Sequence, residues 1–506
     1  MASARERIAA IDIGTNSIHM IVAERWRGSY RVIDREKEMV QLGLSSLDGQ
    51  PLTPEAIERG VKAIGRMCEI AARWNAREIV AVATSAVREA PNRRQFLRRV
   101  RETAGIKVEV ISGEEEADLI FRAVRSAVQL DGSTALCIDI GGGSVEFVVG
   151  TAEEIFFASS EPLGSLRLAQ RFALQDRPTP ESVEACRSFV SRRLRKLRKR
   201  ILPLGIDMFV GTSGTIQALT ALFSKNEEQS SSSGLRATPR AALEGAVEKL
   251  AARSRQERVD EMGVEPVRSS TIVAGSIVLY EILKALDIDS ILSCPAAMRE
   301  GIIASRLAES PRPAAGGSLR MASTLALAER TDCDMRHARH VAHLAARIFE
   351  QTRTLHGLST GARELLEHAA LLHEAGMHVS ERAHHRHTYY LVRHADLKGF
   401  TDEQLLIVAN VARYYRKAAP RTDDPNLAEL TEGQREEVSK LAAILRIAEG
   451  LDRGHRQSVR DVGVRVEEGQ AHFDVRTRSD ARVEINSAAR RGKYFGSVFE
   501  VGVVFG

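Results

Sequence analysis

The chain has 506 residues, 72 Lys plus Arg against 67 Asp plus Glu, a formal charge of +5 and 43% apolar residues. That balance excludes a disordered tail protein, and 37 Gly with 14 Pro exclude a collagenous or low-complexity chain. At roughly 100–200 residues per domain the length predicts about three domains, and the slight basic excess fits a polyanionic partner without requiring one.

The region 1–130 opens with two short β-rich runs, 8–13 and 18–23, joined by Gly14-Thr15-Asn16-Ser17. This is a hairpin signature in which Gly and Asn are expected to supply the backbone angles of a tight turn. Thr53 as N-cap and Pro54 in the first turn start a helix over 54–74. A strand at 78–83, a helix near 93–104 and a strand at 107–111 follow. Ser112 then caps a helix that begins around Glu114.

The region 131–308 opens in the same way, with an apolar run at 135–140, the turn Gly141-Gly142-Gly143-Ser144 and a second run at 145–149. DIGTNS (12–17) and DIGGGS (139–144) share one pattern at the start of their regions, which marks the repeat of a whole domain. The stretch 224–240 reads as a mobile loop, and ESPRPAAGGS (309–318) as a linker. From 319 to 455 the pattern is helical. From 456 to 506 the stretches VGVRVEEG, AHFDVRT, ARVEIN and GSVFEVGVVF alternate and predict a small antiparallel sheet.

Five cysteines without a CxxC pair argue against a disulfide framework and a structural zinc site. Asp12 and Thr15-Asn16 interrupt the first apolar run before it reaches signal-peptide length. No apolar stretch reaches the about 18 residues of a spanning helix, so a cytoplasmic protein without a membrane partner is expected.

A Gly/Ser/Thr-rich turn between strands presents backbone N–H groups in a concave row that binds phosphate oxygens. Two such turns in similar domains could close on a phosphate chain from both sides. Asp12 and Asp139 stand just before the turns, where a carboxylate would repel phosphate unless a divalent cation lies between them or a water is being polarised.

On these stretches the chain resembles the exopolyphosphatase/guanosine pentaphosphate phosphatase family. The matching segments are IAAIDIGTNSIHMIVAE (8–24), ATSAVREA (83–90), ISGEEEADLIF (111–121), CIDIGGGSVEFVVG (137–150), LGSLRLAQRF (163–172), GTSGTIQAL (211–219) and AAMREGII (296–303). The resemblance implies an α/β fold: two ribonuclease-H-like domains of the actin/sugar kinase type around a cleft, then a C-terminal α-helical HD-like domain and a small β-rich tail.

The resemblance further implies that Glu116, the last Glu of the G-x-E-E-A motif, is the catalytic base, with Glu115 in support. Glu114, Glu115 and Glu116 point about 100° apart on a helix, so only one or two can face the cleft; an acidic first turn also suits the helix dipole. Asp139 and Glu146 correspond to carboxylates near the metal and attacking water, with Asp12 as a further metal ligand. On a strand, Glu146 could equally be a solvent-facing residue. Gly141, Gly142, Gly143 and Ser144, with Gly14, Thr15, Asn16 and Ser17, match phosphate turns. Arg88 matches a phosphate-facing arginine, and Gly211, Thr212, Ser213 and Gly214 resemble a turn that contacts nucleotide.

The expected activity is Mg2+- or Mn2+-dependent release of orthophosphate from the ends of inorganic polyphosphate by a homodimer, with no specific nucleic acid. The alternatives are hydrolysis of guanosine pentaphosphate to the tetraphosphate and a catalytically dead binding module. In the third region, His337, His373-Glu374, the 378–387 histidines (His378, His384, His385, His387) and Glu449 resemble an HD-type metal phosphohydrolase. Two Asp-to-Glu departures favour a helical bundle that binds substrate or forms the dimer. The run RSFVSRRLRKLRKR (187–200) reads either as a solvated helix with a narrow apolar seam or as a polyanion track.

Overall fold

The computed structural model describes residues 6–26, 29–223, 235–307, 318–421 and 423–506. The chain divides into two units, one holding the described residues up to 307 and the other those from 318 onward.

The first unit is built on two sheets of the same design. In the first, β1 (Arg7–Ile13), β2 (Ile18–Trp26), β3 (Ser29–Glu38), β4 (Glu78–Ala83) and β5 (Val108–Val110) lie in the order β3-β2-β1-β4-β5. β1 and β2 are antiparallel, whereas β4 runs parallel to β1. In the second, β6 (Ala135–Ile140), β7 (Val145–Gly150), β8 (Ile155–Glu161), β9 (Met208–Thr212), β10 (Arg236–Pro239) and β11 (Ser290–Ser293) lie in the order β10-β11-β9-β6-β7-β8. Read from β8, this order repeats the first sheet and adds β10 at the edge. The hexapeptide repeat is therefore the repeat of a whole ribonuclease-H-like domain, as expected.

The match extends to register, with Asp12 opposite His19 and Asp139 opposite Glu146. The third strand of each sheet was not foreseen. β3, SYRVIDREKE, carries the charge that edge strands use to avoid further pairing and lacks a clean apolar alternation.

Helix starts follow the local chemistry. Thr53 accepts a hydrogen bond from the Ala56 amide at 3.2 Å at the head of the Pro54–Arg73 helix. Ser112 and Glu115 form a reciprocal capping box on the Gly113–Arg125 helix. The Met298–Leu307 helix crosses that helix so closely that a Cβ at Gly301 would lie 1.9 Å from the Leu119 carbonyl oxygen. Of the stretch read as a loop, residues 224–234 lie outside the described residues, while β10 and a short helix, Arg240–Leu243, occupy its end.

The second unit packs the helices Leu319–Arg330, Met335–Gln351, Thr360–Leu372, His384–His394, Asp402–Tyr414 and Glu432–Gly450 around one apolar core. Most of the linker 309–318 lies outside the described residues, and Ser318 caps the first of these helices. The β-rich tail consists of β12 (Val459–Glu467), β13 (Gln470–Thr477) and β14 (Gly502–Phe505), which share that core.

The expectation for ARVEIN is overturned: it opens a helix, Arg482–Phe499. Six residues alternate, but the buried positions Glu484, Ser487, Ala488, Gly492 and Phe495 continue at helical spacing. Because that helix crosses between the strands, β14 pairs parallel to β13 and the sheet is mixed. Among the described residues no helix is long and apolar enough to cross a membrane.

Candidate active site

The two strand-to-strand turns are hydrogen-bonded alike. The Gly14 amide donates to the Ser17 carbonyl at 3.1 Å, and the Gly141 amide to the Ser144 carbonyl at 3.0 Å. None of these eight residues has a left-handed φ, contrary to the expectation that Gly and Asn supply unusual angles. The glycines serve close approach instead. A Cβ on Gly142 would lie 3.1 Å from the Thr15 side chain, and one on Gly143 would lie 2.4 Å from Ser85 Oγ.

The outward carbonyls are already engaged. Asn16 O accepts from Gln41 N at 2.7 Å and Thr15 O from Gly43 N at 2.8 Å, while Gly141 O and Gly142 O each accept an amide at 2.9 Å from Ser165 and Leu166. The amides of Thr15, Asn16, Gly142 and Gly143 have no partner among the described residues. Two facing turns with free donors form a concave anion cradle.

Beside the turns lies a cluster of four carboxylates. Glu116 is on the buried face of its helix with Ile120 and Val124, four and eight residues on, whereas Glu114 and Glu115 are exposed. Glu115, the expected supporting residue, spends its carboxylate on the Ser112 amide at 2.7 Å. Glu116 Oε2 accepts from Arg88 at 3.0 Å, and Arg88 also donates to the Ile111 carbonyl at 2.9 Å. Glu116 Oε1 has no partner among the described residues. Glu146 is 1% exposed, so the solvent-facing reading fails, and it accepts from the Ser160 hydroxyl at 2.8 Å. Asp139 accepts from the Thr212 hydroxyl.

Burial pushes Asp12 up to about 7, opposed by the Arg299 guanidinium and reinforced by Asp139, Glu300 and Glu146. Burial also lifts Glu116 to about 7 against the pull of Arg88, with Asp12 and Asp139 adding to the rise. Asp139 is raised to about 6 by burial, offset by the Thr212 hydrogen bond and Arg299. Glu146 is driven well above the usual range, first by burial and then by Glu116 and Asp139. Acids gathered at such cost are under-compensated by protein cations, and a set of carboxylate oxygens suits a hard divalent cation such as Mg2+ or Mn2+. The donor set therefore fits the ion that the resemblance implies.

A stability prediction follows for protein without divalent metal. A carboxyl whose folded pKa is raised destabilises the fold above its unfolded pKa, and the effect vanishes only where the carboxyl is protonated in both states. Glu146→Gln should therefore be more stable than the parent at pH 7.5. The difference should disappear below about pH 4.5, where the unfolded carboxyl is protonated too. Chemical denaturation at the two pH values checks this; a destabilised variant at pH 7.5 would contradict it.

Several residues of the site were not foreseen. Lys37 of β3, Arg268 and Arg299 gather around His19. Burial and then Arg299, Lys37 and Arg268 hold the His19 ring down to about 3, so it is neutral, with Nε2 2.7 Å from Ser17 Oγ. Burial and the neighbouring Arg268 and Arg299 also lower Lys37, against Glu265. The Arg268 guanidinium lies against Gly214, where a Cβ would come within 2.1 Å of it. Gly211 instead packs against Ile216 and Ile291, and Ser213 takes a left-handed φ of 80° as the chain turns into its helix.

Buried Arg167 donates to the Gly143 carbonyl at 2.8 Å and to Glu89 at 2.7 Å, tying the second turn to the segment that carries Arg88. The repeat itself carried one signal: extended by two residues, DIGTNSIH and DIGGGSVE place His19 where the second domain has Glu146.

The run 187–200 lies in the Pro180–Ile201 helix, which buries Cys186, Val190, Leu194, Leu197 and Ile201 as a narrow seam and exposes the seven cations from Arg192 to Arg200. In the second unit, His337 and Glu374 come together with His455, which the sequence reading did not single out. The His373 ring lies tilted beside that of His337, with centroids 5.3 Å apart. Glu449 does not join them: it is paired with Arg453 and Arg491. His378 pairs with Asp332 at 3.2 Å, and His384 Nε2 meets the Tyr415 hydroxyl at 2.5 Å.

Residues 21–310 match the Ppx/GppA phosphatase family, and residues 319–486 match Ppx/GppA phosphatase, domain III. Among solved structures, the chain is similar to an exopolyphosphatase from Cytophaga hutchinsonii ATCC 33406. The two share 28% identity and a TM-score of 0.57 over 60% of this chain and 98% of that one. It is also similar to the Aquifex aeolicus member of the Ppx/GppA family, at 27% identity and a TM-score of 0.52 over 60% of this chain and 98% of that one.

Proposed function

The chain belongs to the Ppx/GppA phosphatase family, and from that premise we propose that it releases orthophosphate from the ends of inorganic polyphosphate. The observation that carries this reading is the meeting of the two amide-lined turns beside a carboxylate cluster bordered by cations from three segments, Lys37, Arg268 and Arg299. The free amides of Thr15, Asn16, Gly142 and Gly143 receive the terminal phosphate oxygens, and Arg88 and Arg299 offset their charge. The exposed cations of the Pro180–Ile201 helix add to the attraction of a long polyanion.

Glu116 is the base. Arg88 fixes one of its oxygens, and the other is free to take the proton of a water. The water oxygen bonds to the terminal phosphorus, the bridging P–O bond breaks, and the electron pair leaves with the shortened chain. A carboxylate with a pKa of about 7 is suited to accept that proton near neutral pH. Asp12, Asp139 and Glu146 would hold Mg2+ or Mn2+, which when bound neutralises charge on the transferring phosphoryl group.

Guanosine pentaphosphate ends in the same kind of anhydride and is the competing substrate. Turnover of the purified chain on long polyphosphate and on guanosine pentaphosphate, at equal concentrations of ends, tests the assignment. Faster release from polyphosphate is expected. Turnover of the nucleotide alone would replace the assignment, and tight polyphosphate binding without turnover would leave a binding module.

A further inference from the structure

We propose that the second unit binds a divalent transition-metal ion between His337, Glu374 and His455. One ligand atom from each of these residues lies within 4.8 Å of the others. Three elements bring them there. His337 is in the first turn of the Met335–Gln351 helix. Glu374 follows the end of the Thr360–Leu372 helix. His455 sits, with a left-handed φ of 55°, in the turn after the Glu432–Gly450 helix.

The hydrogen bonding of the rings prepares them as ligands. His337 Nδ1 is 2.9 Å from Asp452 Oδ2, and His455 Nδ1 is 3.3 Å from Asp334 Oδ2. A carboxylate on Nδ1 fixes the tautomer that carries its lone pair on Nε2, which is the outer-shell arrangement of metal-binding histidines. His337 is 1% exposed and its Nε2 has no hydrogen-bond partner, an uncommon state for a buried nitrogen. Neighbouring His373 repeats the pattern, with Nδ1 2.7 Å from the Ala370 carbonyl and a buried, unpartnered Nε2.

His455 Nε2 lies 3.8 Å from Glu374 Oε1, too far for a hydrogen bond and suited to sharing a cation. The His337 and His455 rings stack with centroids 3.6 Å apart. His455 is about one-third exposed, which gives an ion a way in.

Imidazole nitrogens with one carboxylate select borderline ions such as Zn2+, Co2+ or Ni2+ over Mg2+ and Ca2+, which prefer all-oxygen sites. The ligand set omits Glu449, whose carboxylate is committed to two arginines. It is independent of the phosphatase reading, because every residue belongs to the second unit.

The test uses the full chain, stripped with chelator and held in millimolar Mg2+ to occupy oxygen-only sites. Zn2+ is titrated by calorimetry, and Co2+ is followed by its visible absorption. One tight equivalent of Zn2+ and nitrogen-ligated Co2+ bands are expected. His337→Ala and Glu374→Gln should each weaken binding at least tenfold. Asp452→Asn, which removes only the orienting carboxylate, should weaken it about 10- to 100-fold. Circular dichroism and Mg2+-dependent phosphate release, both expected unchanged in Glu374→Gln, show that the variant is folded. Absence of a stoichiometric site in the parent chain, or a Zn2+ affinity that folded Glu374→Gln and His337→Ala both retain, would overturn the proposal.

Discussion

Glu116→Gln should lower the rate of orthophosphate release at least 100-fold with little change in substrate affinity, as expected for loss of a positioned general base. The amide keeps the shape of the side chain and can still accept from Arg88 through its oxygen, so folding should be intact. What it loses is the capacity to take a proton. The same account fixes the sign of the pH dependence. Glu116 is raised to about 7 by burial, so activity should fall as pH drops through that range, and a bound divalent cation should shift the fall toward lower pH. Steady-state kinetics of parent and variant between pH 5.5 and 8.5 check both points. Near-parental turnover in Glu116→Gln would remove it from the role of base.

The second large effect is expected from a glycine that contributes no chemistry. Gly164 precedes the Ser165–Arg171 helix, and a Cβ there would lie 2.3 Å from the Gly143 carbonyl carbon and 2.4 Å from the Gly142 carbonyl oxygen. Both contacts are backbone, so no flexible side chain can yield. Gly164→Ala must push the second turn away from Thr15 and Ser85, against which it is packed. Misplacement of about 1 Å in a positioned site can cost about 100-fold. A loss of roughly that size in kcat/KM is expected in protein that still melts cooperatively. Retention of full activity would show that the turns need not meet so closely.

The sequence made the scaffold legible wherever one local rule acted alone. Thr53-Pro54 and Ser112-x-x-Glu115 mark helix starts because the cap chemistry is contained in four residues. The repeated DIGxxS pattern marks two related domains because both need the same turn with free amides. The same chemistry misled at Glu115, whose acidic side chain serves the cap and not the site. Glu116 is distinguished by helical spacing, being in line with Ile120 and Val124.

The cationic side of the site was hidden for a different reason. Lys37, Arg268 and Arg299 come from a charged edge strand, a short loop and a helix placed by Gly301, and nothing in their local sequence brings them together. His455 was missed similarly, because only a left-handed turn carries it back to His337. ARVEIN shows the opposite failure: a six-residue window alternates by chance, and the helical period emerges only over eighteen residues.

The most direct test of the central claim is the product pattern from long-chain polyphosphate with the full chain and Mg2+. The account predicts orthophosphate as the only small product from the earliest time points, because the free amides receive a chain end and Glu116 activates one water against it. Internal fragments without orthophosphate, or no hydrolysis by folded protein at any pH between 6 and 9, would contradict it.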